Sequence, residues 1–396
     1  MELQKAELSA VFPNFLDVAL TGTGKATHYN TRQEQLAAID TVHDSLFNID
    51  RGVYGMACCL GGLDYTKQKA IHKLLSNHYH SNGCSLSSSQ EFDIIDYLAS
   101  DLPIHRALKL FGSMAKERVN NARTRNIMSQ IFFADPHKLE LWAVKYRHKL
   151  RVVLTHMWGV RMTSIILSIL KKRPEYVQNT KERSIISDHI WGGMDEQIAF
   201  ILGDEENLTA PLLKAYVEAK QDLEKGKKLP KEVLEGIRST YHKDVPKDEI
   251  LKITKDNLTK QQKILVQKKA KEIGIEVEFD PMAYDMVKLY IYAYENEMTP
   301  EIKKALRLKA KAANPGFEYE NIEVVVDGSG SMFGHKTQKL RPMAIALAMR
   351  DILTNKNVGK LIKPFGETSL APQLLKALGK RPDAVFVVTD GYENAP

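Results

Sequence analysis

The sequence predicts a mainly α chain: a HEAT-like helical-repeat solenoid followed by a small or truncated α/β domain. Three observations carry that prediction. Apolar residues recur at steps of three and four from the N-terminus to about residue 310, the spacing of one helical face. The pattern breaks at Ala312-Ala-Asn-Pro-Gly316, where proline and glycine follow a basic helix. Beyond the break, short runs of β-formers alternate with helical stretches, the order of a parallel sheet. The expected domains are 1–312 and 317–396, in keeping with a length of 396 residues, too long for one ordinary domain.

In chain order, the helical part marks its own starts. Asp135-Pro136, Asp280-Pro281 and Thr299-Pro300-Glu301 each put a capping side chain before a proline at the first helical position. Leu139, Trp142, Tyr146, Leu150, Val153 and Met157 then make one apolar seam after the first of these starts. Segments 225–230 and 242–247 read as polar linkers. No sharp internal repeat accompanies the helices, so the solenoid is expected from their number and length. After residue 316 the reading is strand at Ile322–Asp327, helix at Arg341–Leu353, a weak strand at Lys360–Phe365, helix at Ser369–Leu378 and a strong strand at Ala384–Thr389. That is less chain than a doubly wound sheet normally takes, so the sheet is expected to be cut short.

At 43% hydrophobic and 27% charged residues the composition is that of a globular protein with material for a core. Three cysteines, Cys58, Cys59 and Cys84, make no disulfide framework and point to a reducing compartment. The N-terminus lacks a basic patch followed by an apolar run, and no run of membrane-spanning length occurs, so the expectation is a cytoplasmic location. Charge is distributed unevenly. The net charge is +7, yet Lys116 to Arg173 holds thirteen Lys/Arg against Glu117, Asp135 and Glu140, an excess of ten that leaves the rest of the chain acidic. Such a local excess suits docking of a polyanion. The candidate contacts are Lys116, Arg118, Arg123, Arg125, Lys138, Lys145, Arg147, His148, Lys149, Arg151 and Arg161. Phe132, Phe133, Trp142, Tyr146, His156 and Trp158 are interleaved with them, a mixture able to grip phosphates and stack on bases. Trp142 and Tyr146 fall on the apolar seam and are expected in the core.

The most specific pattern is Ile322-Glu-Val-Val-Val-Asp327-Gly-Ser329-Gly-Ser331, a strand ending in a turn of hard oxygen donors. Gly366-Glu-Thr368-Ser369 and Thr389-Asp390-Gly391 lie at two further loops, and the loops at the carboxyl ends of parallel strands meet. Oxygen-only donors at Asp327, Ser329, Ser331, Thr368 and Asp390 favour a hard divalent cation, Mg²⁺ above all. No general base stands beside a nucleophile, and the clustered carboxylates of two-metal hydrolysis are missing, so no enzyme is expected.

These five positions resemble the metal-ion-dependent adhesion site (MIDAS) of von Willebrand factor A domains, Asp-x-Ser-x-Ser with a loop threonine and a later aspartate. A helical array before such a domain resembles the TROVE family, the Ro autoantigen and its bacterial relatives. Gly366-Glu-Thr-Ser-Leu-Ala-Pro372 is similar to that family's Gly-Gly-Thr segment, with glutamate in place of the second glycine. Asp383-Ala-Val-Phe-Val-Val-Thr-Asp390 is similar to its final strand. Motif similarity is confined to 317–396. The resemblance implies RNA binding in a Ro-type ribonucleoprotein: single-stranded ends of misfolded RNA threaded through a ring, and small noncoding Y RNAs on its basic outer surface. It also implies that the cation's open position takes a carboxylate from a protein partner. A metal-dependent protein-interaction adaptor without RNA is the alternative, and a metal-dependent hydrolase a distant third.

Other signals are weaker. Thr21-Gly-Thr-Gly-Lys25-Ala-Thr27 lacks both the leading glycine and the Ser or Thr after lysine of a phosphate-binding loop. His72, His78, His80 and Cys84 match no standard zinc spacing. Cys58 and Cys59 read as buried apolar residues.

Overall fold

Side-chain caps fix eight of the α-helix starts in this computed structural model, which describes residues 2–21, 31–61, 63–80, 84–171, 193–316, 318–334 and 339–390. The fold is mainly α and divides into two compact units, Met1–Asn257 and Leu258–Pro396. Among the described residues no single helix is long and apolar enough to cross a membrane. The glycine-lysine stretch Gly22–Thr27, together with Lys172, Arg173 and Gly391, lies outside the described residues.

The first unit runs through α1 (Glu2–Thr21), α2 (Arg32–Ile49), α3 (Arg51–Cys59), α4 (Asp64–Ser76), α5 (Ser88–Ser100), α6 (Ile104–Lys116) and α7 (Ala122–Phe132). It continues through α8 (Pro136–Trp158), α9 (Val160–Lys171), α10 (Asp195–Leu202), α11 (Pro211–Glu218), α12 (Lys231–Tyr241) and α13 (Lys247–Thr254). Thr31 with Glu34, and Ser87 with Gln90, close reciprocal capping boxes. Asp135 accepts from the N–H groups of His137 and Lys138, as its sequence position before Pro136 predicts. Packing is mostly between near neighbours: α1 on α2, α2 on α3, α3 on α5, α4 on α6, α5 on α7 and α6 on α8. Phe15, Tyr54, Phe111, Phe132 and Phe200 are fully buried in the shared core. One ionic network is buried with them. Glu91 receives Arg51 at 2.5 and 2.8 Å and Arg123 at 2.6 Å, and Arg51 also donates to the carbonyls of Leu74, Asn77 and His78. The stretch 225–230 is more than a polar linker, because Leu229 is fully buried in the same core.

The second unit contains α14 (Lys260–Glu272), α15 (Met286–Glu295), α16 (Pro300–Ala313), α17 (Arg341–Thr354) and α18 (Ala371–Leu378), with strands β1 (Ile322–Val326) and β2 (Ala384–Val388). Leu289, Tyr290, Leu306, Met343, Leu347 and Val326 share its core, so the break at 312–316 is a connection inside this unit. Thr299 caps α16, whereas Asp280-Pro281 opens only a 3₁₀ turn; Asp285 caps the helix that follows. The strands pair in parallel, with Ile322 beside Ala384 and Val326 beside Val388. Residues 360–365, expected as a weak strand, form none. The Tyr294 hydroxyl accepts from the Ile362 N–H and donates to its carbonyl, and Pro364 has no N–H to give a ladder.

Candidate nucleic-acid interface and cation loops

Helix α8 carries the middle of the basic segment, and its backbone breaks at Tyr146, with φ −133° and ψ 22°. Successive residues of a straight helix step by about 100°, so six in a row cannot line one cavity. Here they do. Val144 to Lys149 all border a cavity of about 760 Å³, with Arg151 from the next turn, Gly203 just past the end of α10 and Tyr216 on α11. No proline or glycine causes the break; it coincides with the anchoring of the next residue, Arg147.

Arg147 is held from three sides. Its Nε donates to the Phe200 carbonyl at 2.7 Å, its guanidinium lies 4.0 Å over the Phe200 ring, and Nη1 pairs with Glu205. Glu205 also receives Lys220 at 2.5 Å. Burial works against ionising Glu205, but the bonds from Lys220 and Arg147 outweigh it and hold its carboxyl below the usual range. Lys220 in turn sits 5.3 Å from the Tyr216 ring and 5.7 Å from the Tyr241 ring.

The candidate cations thus separate. Lys145 is half-buried on the cavity wall, and His148, Lys149 and Arg151 are exposed around it. Lys116, Arg118, Arg125, Lys138 and Arg161 are also exposed, outside the lining of this cavity. Arg123 is committed to the buried Glu91 and Arg147 to Glu205 and Phe200, so these two are structural cations rather than open surface charges. Of the aromatics, Phe132 is buried, Phe133 and Trp158 stack on one another at 6.0 Å, and His156 bonds the Val119 carbonyl. Trp142 packs against the core as expected. Tyr146 does so too, but it also lines the cavity.

In the second unit the turn after β1 is stiffened from within. Asp327 Oδ1 accepts from the Ser329 N–H at 2.8 Å, Oδ2 accepts from the Thr389 hydroxyl at 2.9 Å, and the Asp327 N–H continues the ladder to the Val388 carbonyl. The loop before α18 is tied to this turn by Gly330 N–H to the Gly366 carbonyl and Phe365 N–H to the Gly328 carbonyl, both at 2.8 Å. Asp327, Ser329 and Thr368 are buried, Ser331 half-buried and Asp390 exposed. The Ser329 and Ser331 hydroxyl oxygens stand 2.9 Å apart. Two oxygens at right angles on an octahedral Mg²⁺ with bonds near 2.1 Å stand about 3.0 Å apart, so the pair fits that ion in chemistry and spacing. Thr389, the residue after β2, meets Asp327 with its hydroxyl, and Asp390 follows it in the chain with its side chain exposed.

Comparison with family models, curated proteins and solved structures gives no match. The chemistry of the site rests on the chain's own residues. Three of them escape a reading of the basic segment alone: Tyr216, Lys220 and Tyr241 lie far along the chain, and no local pattern links them to α8.

Proposed function

We propose that this chain is a non-enzymatic RNA-binding protein of the Ro ribonucleoprotein type, a scaffold or quality-control factor for single-stranded or small noncoding RNA. The observation that carries the reading is the wall that Lys145, His148, Lys149 and Arg151 form along one cavity beside Tyr146 and Tyr216, on a stretch of α8 that leaves helical geometry at Tyr146. A backbone held away from ideal geometry is a common mark of a functional site. Lysine and arginine supply the phosphate contacts and the tyrosine rings the faces on which unpaired bases stack. In this reading the helices of the first unit are a HEAT-like solenoid. The Asp327 loops belong to an A-type domain, where Asp327, Ser329, Ser331, Thr368 and Asp390 would hold Mg²⁺ and an acidic protein partner would complete its shell.

The test is titration of a labelled single-stranded RNA against the protein at rising salt. Binding should weaken steeply, and Lys149→Glu with Arg151→Glu should weaken it further; each phosphate left without its cation lowers the salt slope by about 0.7. Affinity indifferent to salt and to both reversals sinks the RNA reading. A protein partner captured through Asp327, with no RNA bound, supports the adaptor instead.

A further inference from the structure

A second cavity, of about 440 Å³, adjoins the first and shares Val144, Lys145, Tyr146 and Tyr216 with it. Its far wall is α12. Glu232, Gly236 and Thr240 follow one another at steps of four along that helix, and Val233, Ile237 and Tyr241 make the parallel row beside them. The recess lies where Gly236 interrupts the first row.

That glycine has no conformational reason to be there. It sits inside α12, outside the positive-φ glycines, and a Cβ built on it meets nothing within 4 Å. A glycine in a helix interior costs about 1 kcal/mol relative to alanine. Neither a turn nor a close backbone approach explains it; what its missing side chain provides is room. Around that room stand three phenol rings, Tyr146, Tyr216 and Tyr241, the last 54% exposed, with Lys220 close to two of them and Lys145 on the shared wall. The volume is within the range of about 300–1,000 Å³ usual for small-molecule pockets. Tyrosine rings beside the Lys145 ammonium suit a planar ring joined to a phosphate, while Lys220, bonded to Glu205, holds Tyr216 and Tyr241 together.

We infer that this pocket takes one unpaired nucleobase of the strand whose phosphates lie along Lys145, Lys149 and Arg151. The inference rests on the RNA reading of the adjoining cavity. The base stacks against tyrosine, Gly236 leaves its space open, and a paired base is excluded because its partner would have to enter the same recess.

The experiment compares a labelled oligoadenylate with an abasic ribose-phosphate oligomer of equal length, on the wild type, Gly236→Leu, Tyr241→Ala and the Lys149→Glu, Arg151→Glu double variant. The wild type should bind the base-bearing strand about tenfold more tightly, and Gly236→Leu and Tyr241→Ala should each lose about that factor for it alone. Gly236→Leu should melt no lower than the wild type, so its loss is not unfolding. If the charge reversals weaken binding while Gly236→Leu and Tyr241→Ala leave it unchanged, the base pocket is wrong and the RNA reading stands; if the wild type binds both oligomers equally, the base pocket is wrong and of the RNA reading only the phosphate contacts stand. If the wild type binds neither oligomer, both readings fall.

Discussion

The guanidinium of Arg147 lies 4.0 Å over the Phe200 ring while its Nε donates to the carbonyl of the same residue at 2.7 Å. That double hold, with the Glu205 ion pair, pins the break in α8. Arg147→Ala removes the ring contact, the carbonyl bond and the ion pair together and should lower stability by about 2–3 kcal/mol. Lys149→Ala and Arg151→Ala, both exposed, should stay within about 0.5 kcal/mol of the wild type. Urea midpoints of the three variants decide the matter. Equal midpoints would mean that Arg147 is only a surface charge.

Glu91 is another structural acid of the first unit. It is 1% exposed and faces two guanidinium groups, so removing it leaves Arg51 buried without its counter-charge. Breaking such a pair costs about 3–5 kcal/mol. Glu91→Ala should unfold at a much lower temperature than the wild type, and Arg123→Ala, which leaves the Arg51 bonds in place, should lose less. A Glu91→Ala melting curve indistinguishable from wild type would show that the network contributes nothing.

How much of this was legible follows from range. Asp135-Pro136, the strand residues 322–326 and 384–388 and the Asp327 turn announce themselves because caps, β-branched runs and glycine-spaced hydroxyls act within a few residues. The break at Tyr146 has no proline or glycine to mark it; it accompanies contacts that Arg147 makes with Phe200 and Glu205, in a different helix and the loop after it. The same applies to Thr389, whose hydroxyl finds Asp327 only because β1 and β2 pair, and to residues 360–365, where the Tyr294 hydroxyl takes the backbone groups a ladder would need. Arg123 and Arg147 looked like their basic neighbours, since burial separates structural cations from surface ones and burial is not local.

His43 gives the first unit an acid limit. It is fully buried, with Nδ1 2.7 Å from the Tyr54 hydroxyl and Phe15 edge-on at 5.3 Å. Burial, helped by Lys69 and Lys73 and opposed by Asp44, pushes its pKa down to about 3. The folded protein therefore holds His43 neutral, while the unfolded chain binds a proton near the ordinary value of about 6.5. Between those two values the unfolded state carries more protons, so stability is present in full above pH 6.5 and falls as pH drops toward 3. The slope approaches about 1.4 kcal/mol per pH unit inside the window. Measured at pH 7 and pH 5, the urea midpoint of the wild type should drop, and His43→Gln, less stable at pH 7, should drop by visibly less. A variant with the same pH dependence as the wild type would assign the effect to other histidines.

Asp327 already bonds the Ser329 N–H and the Thr389 hydroxyl, so the turn has a shape before any ion enters, and two hydroxyls 2.9 Å apart wait on one side of it. An ion that binds only the folded state stabilises by about 2.7 kcal/mol at a hundredfold excess over its dissociation constant. Mg²⁺ added to chelator-treated protein should therefore raise the melting temperature of the second unit. Ser331→Ala keeps the bonds that shape the turn and should abolish most of the rise; Asp327→Asn keeps the size of the side chain, loses its charge and should abolish all of it. Ca²⁺ should do less than Mg²⁺, because Ca²⁺ takes six to eight oxygens, whereas Mg²⁺ keeps several of its own waters and needs few from the protein. An unchanged melting temperature in the wild type, or an equal rise in Asp327→Asn, would remove the cation from this loop and leave Asp327 as a structural carboxylate at the end of β1.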